Sequence, residues 1–141
     1  VPLYDYTIPF GKAKIRKKGK DVTILGKLRS VYTALEASKT LEQRNISCEV
    51  IDPRTIVPFD SKLLFNSVKK TGRLVIVDEC TKTGGWAGEI SALVQENIFK
   101  YLKKPVVRVT APDTPVPFAP KLENFFIPQA KDVVKEVLKL F

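Results

Sequence analysis

The residues that could do chemistry are few, and the absences among them decide most. The chain has no histidine, which removes the Ser-His-Asp and Cys-His arrangements, histidine zinc sites and the commonest acid or base at neutral pH. Its two cysteines, Cys48 and Cys80, stand far apart in sequence with no histidine to complete a ligand set, so a zinc site is not expected. Both are expected to be buried and reduced, as in an intracellular protein. Asp78 and Glu79 adjoin at the end of an apolar run, and paired carboxylates can work as acid and base. Neighbours on a strand point to opposite faces, however, so these two should not converge on one substrate.

Two loops carry the remaining signals. Thr81-Lys82-Thr83-Gly84-Gly85-Trp86-Ala87-Gly88-Glu89 lies between a strand pattern and a helix pattern. In an open parallel sheet that is the ligand side, where helix N–H groups can receive an anion. The segment matches neither the phosphate loop ending in Gly-Lys-Ser/Thr nor the three-glycine dinucleotide fingerprint. Its small residues suit close packing against another chain, with Trp86 as a buried anchor in such an interface. The stretch Ala111 to Pro120 holds Pro112, Pro115, Pro117 and Pro120, a stiff extended path that cannot join a sheet interior. Val116 and Phe118 suggest that it docks on its own domain.

Lys12, Lys14, Arg16, Lys17, Lys18 and Lys20 fall within nine residues that contain no acid, while the whole chain has a net charge of +9. The first reading is a solvated hairpin whose lysines protect a sheet edge from aggregation. The alternative is an independent basic module for nucleic acid or an acidic partner. No aromatic residue interleaves with these bases as a single-strand platform would need, and nucleic acid is not the expected partner. Lys131, Lys135 and Lys139 form a second stripe, read as a solvent face.

The elements that would position these residues alternate. Ala13 to Arg16 and Asp21 to Gly26 read as an opening antiparallel hairpin. Ser30 is placed as the cap of a helix burying Val31, Ala34, Leu35 and Leu41. Ser47 to Asp52 is a short strand, and Asp60 caps a helix that Gly72 ends. Arg73 to Asp78 is a continuous apolar strand of the kind covered on both faces. A helix from the glycine loop, a strand over Pro105 to Val109 and a final helix through Val133, Val134, Val137 and Leu138 complete the pattern. Strands alternating with helices predict a three-layer α/β/α sandwich around a mixed, mostly parallel five-stranded sheet with its first strand antiparallel.

At 141 residues and 44% hydrophobic composition, one compact domain can bury its own core without staples. No apolar run approaches the length of a membrane span, and no signal-peptide pattern opens the chain. There is no methionine, so the chain is read as a piece of a longer protein. Residues 1–10 are expected to be a linker or arm from a missing amino-terminal domain, and residues 11–141 the domain itself.

Four ordered stretches carry a resemblance. Ile51 to Asp60, Glu79 with Lys82-Thr83-Gly84-Gly85 and Glu89-Ile90, Arg108 to Thr110 with Asp113 to Phe118, and Leu122-Glu123 with Ile127-Pro128 resemble the carboxy-terminal, transketolase C-terminal-type domain of the beta subunit of 2-oxo acid dehydrogenase decarboxylase components. These are the pyruvate, branched-chain 2-oxo acid and acetoin enzymes. The Arg-Thr-Ile-Val-Pro and Pro-Val-Pro-Phe runs set it apart from transketolase itself and from deoxyxylulose-phosphate synthase. The resemblance implies a thiamine diphosphate-dependent enzyme in which cofactor and magnesium are held by parts outside residues 1–141, with no catalytic, cofactor-binding or metal-binding residue here. The fragment alone is expected to be inactive. The implied partners are an alpha subunit and a second beta subunit in an alpha2-beta2 tetramer, and a lipoyl acyltransferase core. The implied location is intracellular, in cytoplasm, mitochondrion or plastid, without membrane attachment. Thr83, Gly84, Gly85, Trp86, Glu89, Asp113, Pro115, Pro117 and Phe118 are the expected interface residues.

Overall fold

The structure, a computed structural model, describes Leu3 and residues 5–141. Five strands, β1 (Lys14–Lys17), β2 (Val22–Gly26), β3 (Cys48–Asp52), β4 (Leu74–Thr81) and β5 (Val107–Ala111), form one sheet in the order β1-β3-β2-β4-β5. All neighbouring pairs are parallel except β1 with β3. The helices are α1 (Arg29–Glu42), α2 (Ser61–Thr71), α3 (Trp86–Ile98), α4 (Pro120–Phe126) and α5 (Ala130–Leu138).

Strand alternation divides the core into two layers. Val22, Ile24, Val75 and Val77 point to the face covered by α1 and α5, where they meet Ala34, Leu41, Val133 and Val137. Leu25, Leu74 and Ile76 point to the other face, against Leu64 and Val68 of α2 and Ile90 and Val94 of α3. The expected sandwich is therefore present, with helices on both sides. The Leu74 strand lies inside the sheet, flanked by β2 and β5, and the lysine-rich β1 lies at an edge.

The opening hairpin is a correction. β1 runs antiparallel to β3, pairing Lys14 with Asp52 and Ile15 with Ile51, and makes no ladder with β2. The backbone N–H groups of Lys20 and Asp21 both donate to the Ser47 carbonyl, at 3.2 and 2.9 Å, while the Ser47 N–H donates to Asp21 Oδ2 at 2.8 Å. These bonds hold the segment after β1 across the start of β3 and deliver β2 to that strand's far side. All five β2 residues are buried, and both its edges are occupied by parallel neighbours.

Ser30 is a second correction. It lies buried in the first turn of α1, and Leu28 occupies the cap position. The caps expected elsewhere form as the residue types dictate. The Leu63 N–H donates to Asp60 Oδ1 at 3.2 Å, and Gly72 ends α2 in the left-handed conformation at φ 72°. Asp60 Oδ2 also accepts from the Ala13 N–H at 3.1 Å, tying the lead into β1 to the start of α2.

Residues 5–10 carry no helix or strand and are exposed. The arm expected over residues 1–10 also includes Val1, Pro2 and Tyr4, which lie outside the described residues. No helix among the described residues is long and apolar enough to cross a membrane.

Candidate functional site at the carboxyl end of the sheet

β4 ends in a charged residue that its burial forces into partnership. The Asp78 carboxylate is fully buried, and an unpaired charge there would be costly. Lys27, just past the end of β2, places Nζ 2.9 Å from Asp78 Oδ1. The Cys80 N–H donates to Oδ1 at 3.1 Å and the Ala87 N–H to Oδ2 at 3.2 Å. Gly85, at the cap of α3, has no side chain to offer, so the carboxylate from the strand receives an N–H from the first turn instead.

Burial presses the Asp78 carboxyl toward higher pKa. The hydrogen bond from Lys27, the two backbone N–H groups and the Lys27 charge outweigh it, and the net direction is below the ordinary carboxylate range. Burial likewise works against the Lys27 charge, but its contacts with Asp78 raise its pKa overall. Both groups stay charged at neutral pH, and neither is poised to exchange a proton there. Trp86 completes this node. Its ring lies 5.9 Å from Lys27 Nζ and meets Phe59 edge-on at 6.0 Å. Trp86 is half-buried and packs against the core layer beneath α2 and α3, leaving part of its surface open.

The glycine loop and the proline-rich loop are bound to each other. The Thr83 N–H and hydroxyl both donate to the Asp113 carboxylate, at 2.9 and 2.7 Å, and these two bonds lower the Asp113 pKa. Arg108 on β5 donates from Nη1 to the Lys82 carbonyl at 3.1 Å. Gly84 has φ 71°, and a Cβ on Gly85 would overlap the Thr81 carbonyl, so both positions depend on glycine. Thr83, Gly84, Gly85, Trp86 and Asp113 thus come together at one end of the sheet. Glu89 lies exposed on the first turn of α3.

Pro115 and Phe118 project outward while Pro117 is half-buried, and the docking expected for Val116 and Phe118 does not occur. Val116 is 69% exposed and Phe118 fully so. The helix α4 that follows was not foreseen, although Pro120 at its first turn is a start signal. It exposes Leu122 at 57% and Phe125 at 88%, so the run from Val116 to Phe125 shows four large apolar side chains to solvent. The expectation for Cys80 is also corrected. Cys48 is buried, but Cys80 is exposed at the strand end, where Lys27 Nζ lies 3.7 Å from its sulfur.

Asp78 is occupied by Lys27 and two backbone N–H groups, Asp113 by Thr83, and among the described residues no three carboxylate or thiol side chains cluster as metal ligands.

Residues 11–133 match the family described as transketolase, C-terminal domain. The chain belongs to that family. This transketolase C-terminal domain is 45% identical to the acetoin:2,6-dichlorophenolindophenol oxidoreductase subunit beta of Bacillus subtilis over 99% of its length and 41% of the relative's. It is 50% identical to the mitochondrial 2-oxoisovalerate dehydrogenase subunit beta of Dictyostelium discoideum over 91% of its length and 34% of that protein's. Among solved structures, a split-gene transketolase described as an inactive beta4 tetramer superposes with a TM-score of 0.82 at 32% identity, covering 96% of this chain and 43% of that one. The domain therefore spans about two-fifths or less of these curated relatives. The resemblance drawn from the sequence motifs agrees with these matches.

Proposed function

We propose that this chain is the assembly domain of the beta subunit of a thiamine diphosphate-dependent 2-oxo acid dehydrogenase. Such an enzyme decarboxylates pyruvate, a branched-chain 2-oxo acid or a similar substrate and passes the acyl unit to a lipoyl group. In this reading the cofactor and its magnesium belong to the alpha subunit and the amino-terminal part of the beta subunit. The domain supplies contacts within an intracellular alpha2-beta2 tetramer and toward the acyltransferase core.

The observation that carries the reading is the surface around Thr83 and Asp113. Two loops are tied together by charge-assisted hydrogen bonds, and Val116, Phe118, Leu122 and Phe125 in the segment that follows lie open to solvent. Large apolar side chains exposed close together in sequence support an interaction site there. The higher identity to acetoin and 2-oxoisovalerate enzyme subunits than to the split-gene transketolase favours the 2-oxo acid branch.

Reconstitution tests the proposal. Alpha subunit mixed with a beta subunit bearing this domain is expected to decarboxylate a 2-oxo acid, and alpha subunit mixed with residues 1–141 alone is expected to be inactive. Calorimetry with thiamine diphosphate and magnesium is expected to show no binding to residues 1–141. Stoichiometric micromolar binding, or activity with the 141-residue chain, would overturn it.

A further inference from the structure

The basic segment opens on an unoccupied sheet edge. β1 is the last strand of the sheet, with β3 along one side and, among the described residues, no strand along the other. Side chains alternate there, and Lys12, Lys14, Lys18 and Lys20 are exposed. The two bases that have acidic partners are Arg16, 3.2 Å from Asp52, and Lys17, 2.9 Å from Glu42. The four exposed lysines have no carboxylate within ion-pair distance among the described residues.

A cleft of about 470 Å³ adjoins this edge beneath α2, with Lys12 and Lys62 at its wall and Ile15 and Leu63 among its apolar lining. Its carboxylates are already engaged. Asp60 accepts the Ala13 and Leu63 N–H groups, and Glu49 receives Lys70 at 2.5 Å and the Gly19 N–H at 3.3 Å. Lys12, Lys62 and Lys70 stand against Asp60 and Glu49 in the lining, which leaves it with a net positive charge beside Ile15 and Leu63.

We infer that the outer edge of β1, with the cleft beneath α2, is a docking surface for an extended acidic segment of a partner protein. An open strand edge offers main-chain donors and acceptors that an added strand can pair with. A second copy of this chain would set lysines against lysines, so the charge pattern rejects self-pairing and selects a strand of opposite sign. Nucleic acid meets the charge but cannot reciprocate the main-chain pairing, and no aromatic side chain between Lys12 and Lys20 could stack a base. The inference is independent of the tetramer reading, because it uses the opposite side of the sheet from the proline-rich loop.

Backbone-amide NMR titration of the 141-residue chain tests it with three probes: a blocked twelve-residue peptide of alternating Glu and Thr, its Lys-Thr counterpart, and a twelve-nucleotide thymidine strand. The Glu-Thr peptide is expected to bind at low salt with shifts centred on residues 12–20, and to weaken severalfold at about 0.15 M salt. The Lys-Thr peptide should not bind. Lys14→Glu with Lys18→Glu is expected to weaken peptide binding at least about tenfold, while Lys103→Glu with Lys104→Glu, before β5 at the other edge, leaves it unchanged. Unaltered melting of both variants separates lost binding from lost folding. Tighter binding of the thymidine strand than of the acidic peptide, no peptide binding at millimolar concentration, shifts centred elsewhere, or equal binding by the Lys14/Lys18 variant would each overturn the inference.

Discussion

Lys27 and Asp78 form a demanding contact, because the carboxylate is sealed from water and depends on one cation and two N–H groups. Removing one member of a buried pair strands the other, so Asp78→Ala should cost about 3–5 kcal/mol at neutral pH. The Asp78 pKa is lower in the folded state than in the unfolded chain, where it is about 3.9. Its stabilisation is thus complete above about pH 5 and is lost as pH falls through the folded value. Lys27 has a raised pKa, so its share is present below about pH 10.4 and is lost as pH rises through its folded value. Thermal melting should show the gap between the parent chain and Asp78→Ala narrowing from pH 7 toward pH 3, and a constant gap would contradict this. The cysteines give a second expectation. Burial pushes the Cys48 thiol up to about 12, whereas Cys80 is exposed, so iodoacetamide at pH 8 should label only Cys80 until denaturant is added. Equal labelling of both native thiols would be the contrary result. Little of this node was legible beforehand. An apolar run ending in Asp78 announces a buried charge in need of a partner, but nothing local to residue 78 points to residue 27.

Elements built from strong local patterns were readable, and those set by long-range competition were not. The apolar run of β4 could only be an interior strand, and Asp60 and Gly72 bracket α2 by side-chain chemistry alone. The pairing of β1 depended on the contest between β2 and β3 for its edge. That contest is decided by Ser47 and by the two parallel ladders of β2, which no short window contains. In the same way, Val116 and Phe118 look like core residues in isolation, and only the finished surface reveals that nothing among the described residues covers them. The strip from Val116 to Phe125 should therefore make the 141-residue chain self-associate at high concentration. Phe118→Ser with Phe125→Ser should shift sedimentation toward monomer, with stability changed by no more than about 0.5 kcal/mol because both side chains are exposed. A parent chain that stays monomeric at high concentration would contradict the expectation.

At the scale of the whole molecule the two ends of the sheet order differ in kind. The β1 side is hydrophilic and strongly basic, while the loop after β5 and α4 expose Val116, Phe118, Leu122 and Phe125. The carboxyl end of an open sheet is where ligands usually enter such folds. Here Asp78 is paired with Lys27 and Asp113 with Thr83, and attachment is the role proposed for this end of the domain. Sedimentation velocity of the alpha subunit with a full beta subunit carrying Val116→Asp and Phe118→Asp in this domain tests that assignment most directly. The account predicts that the alpha2-beta2 species is replaced by smaller ones while the domain's melting temperature is unchanged, and an intact tetramer at the affinity of the parent protein would contradict it.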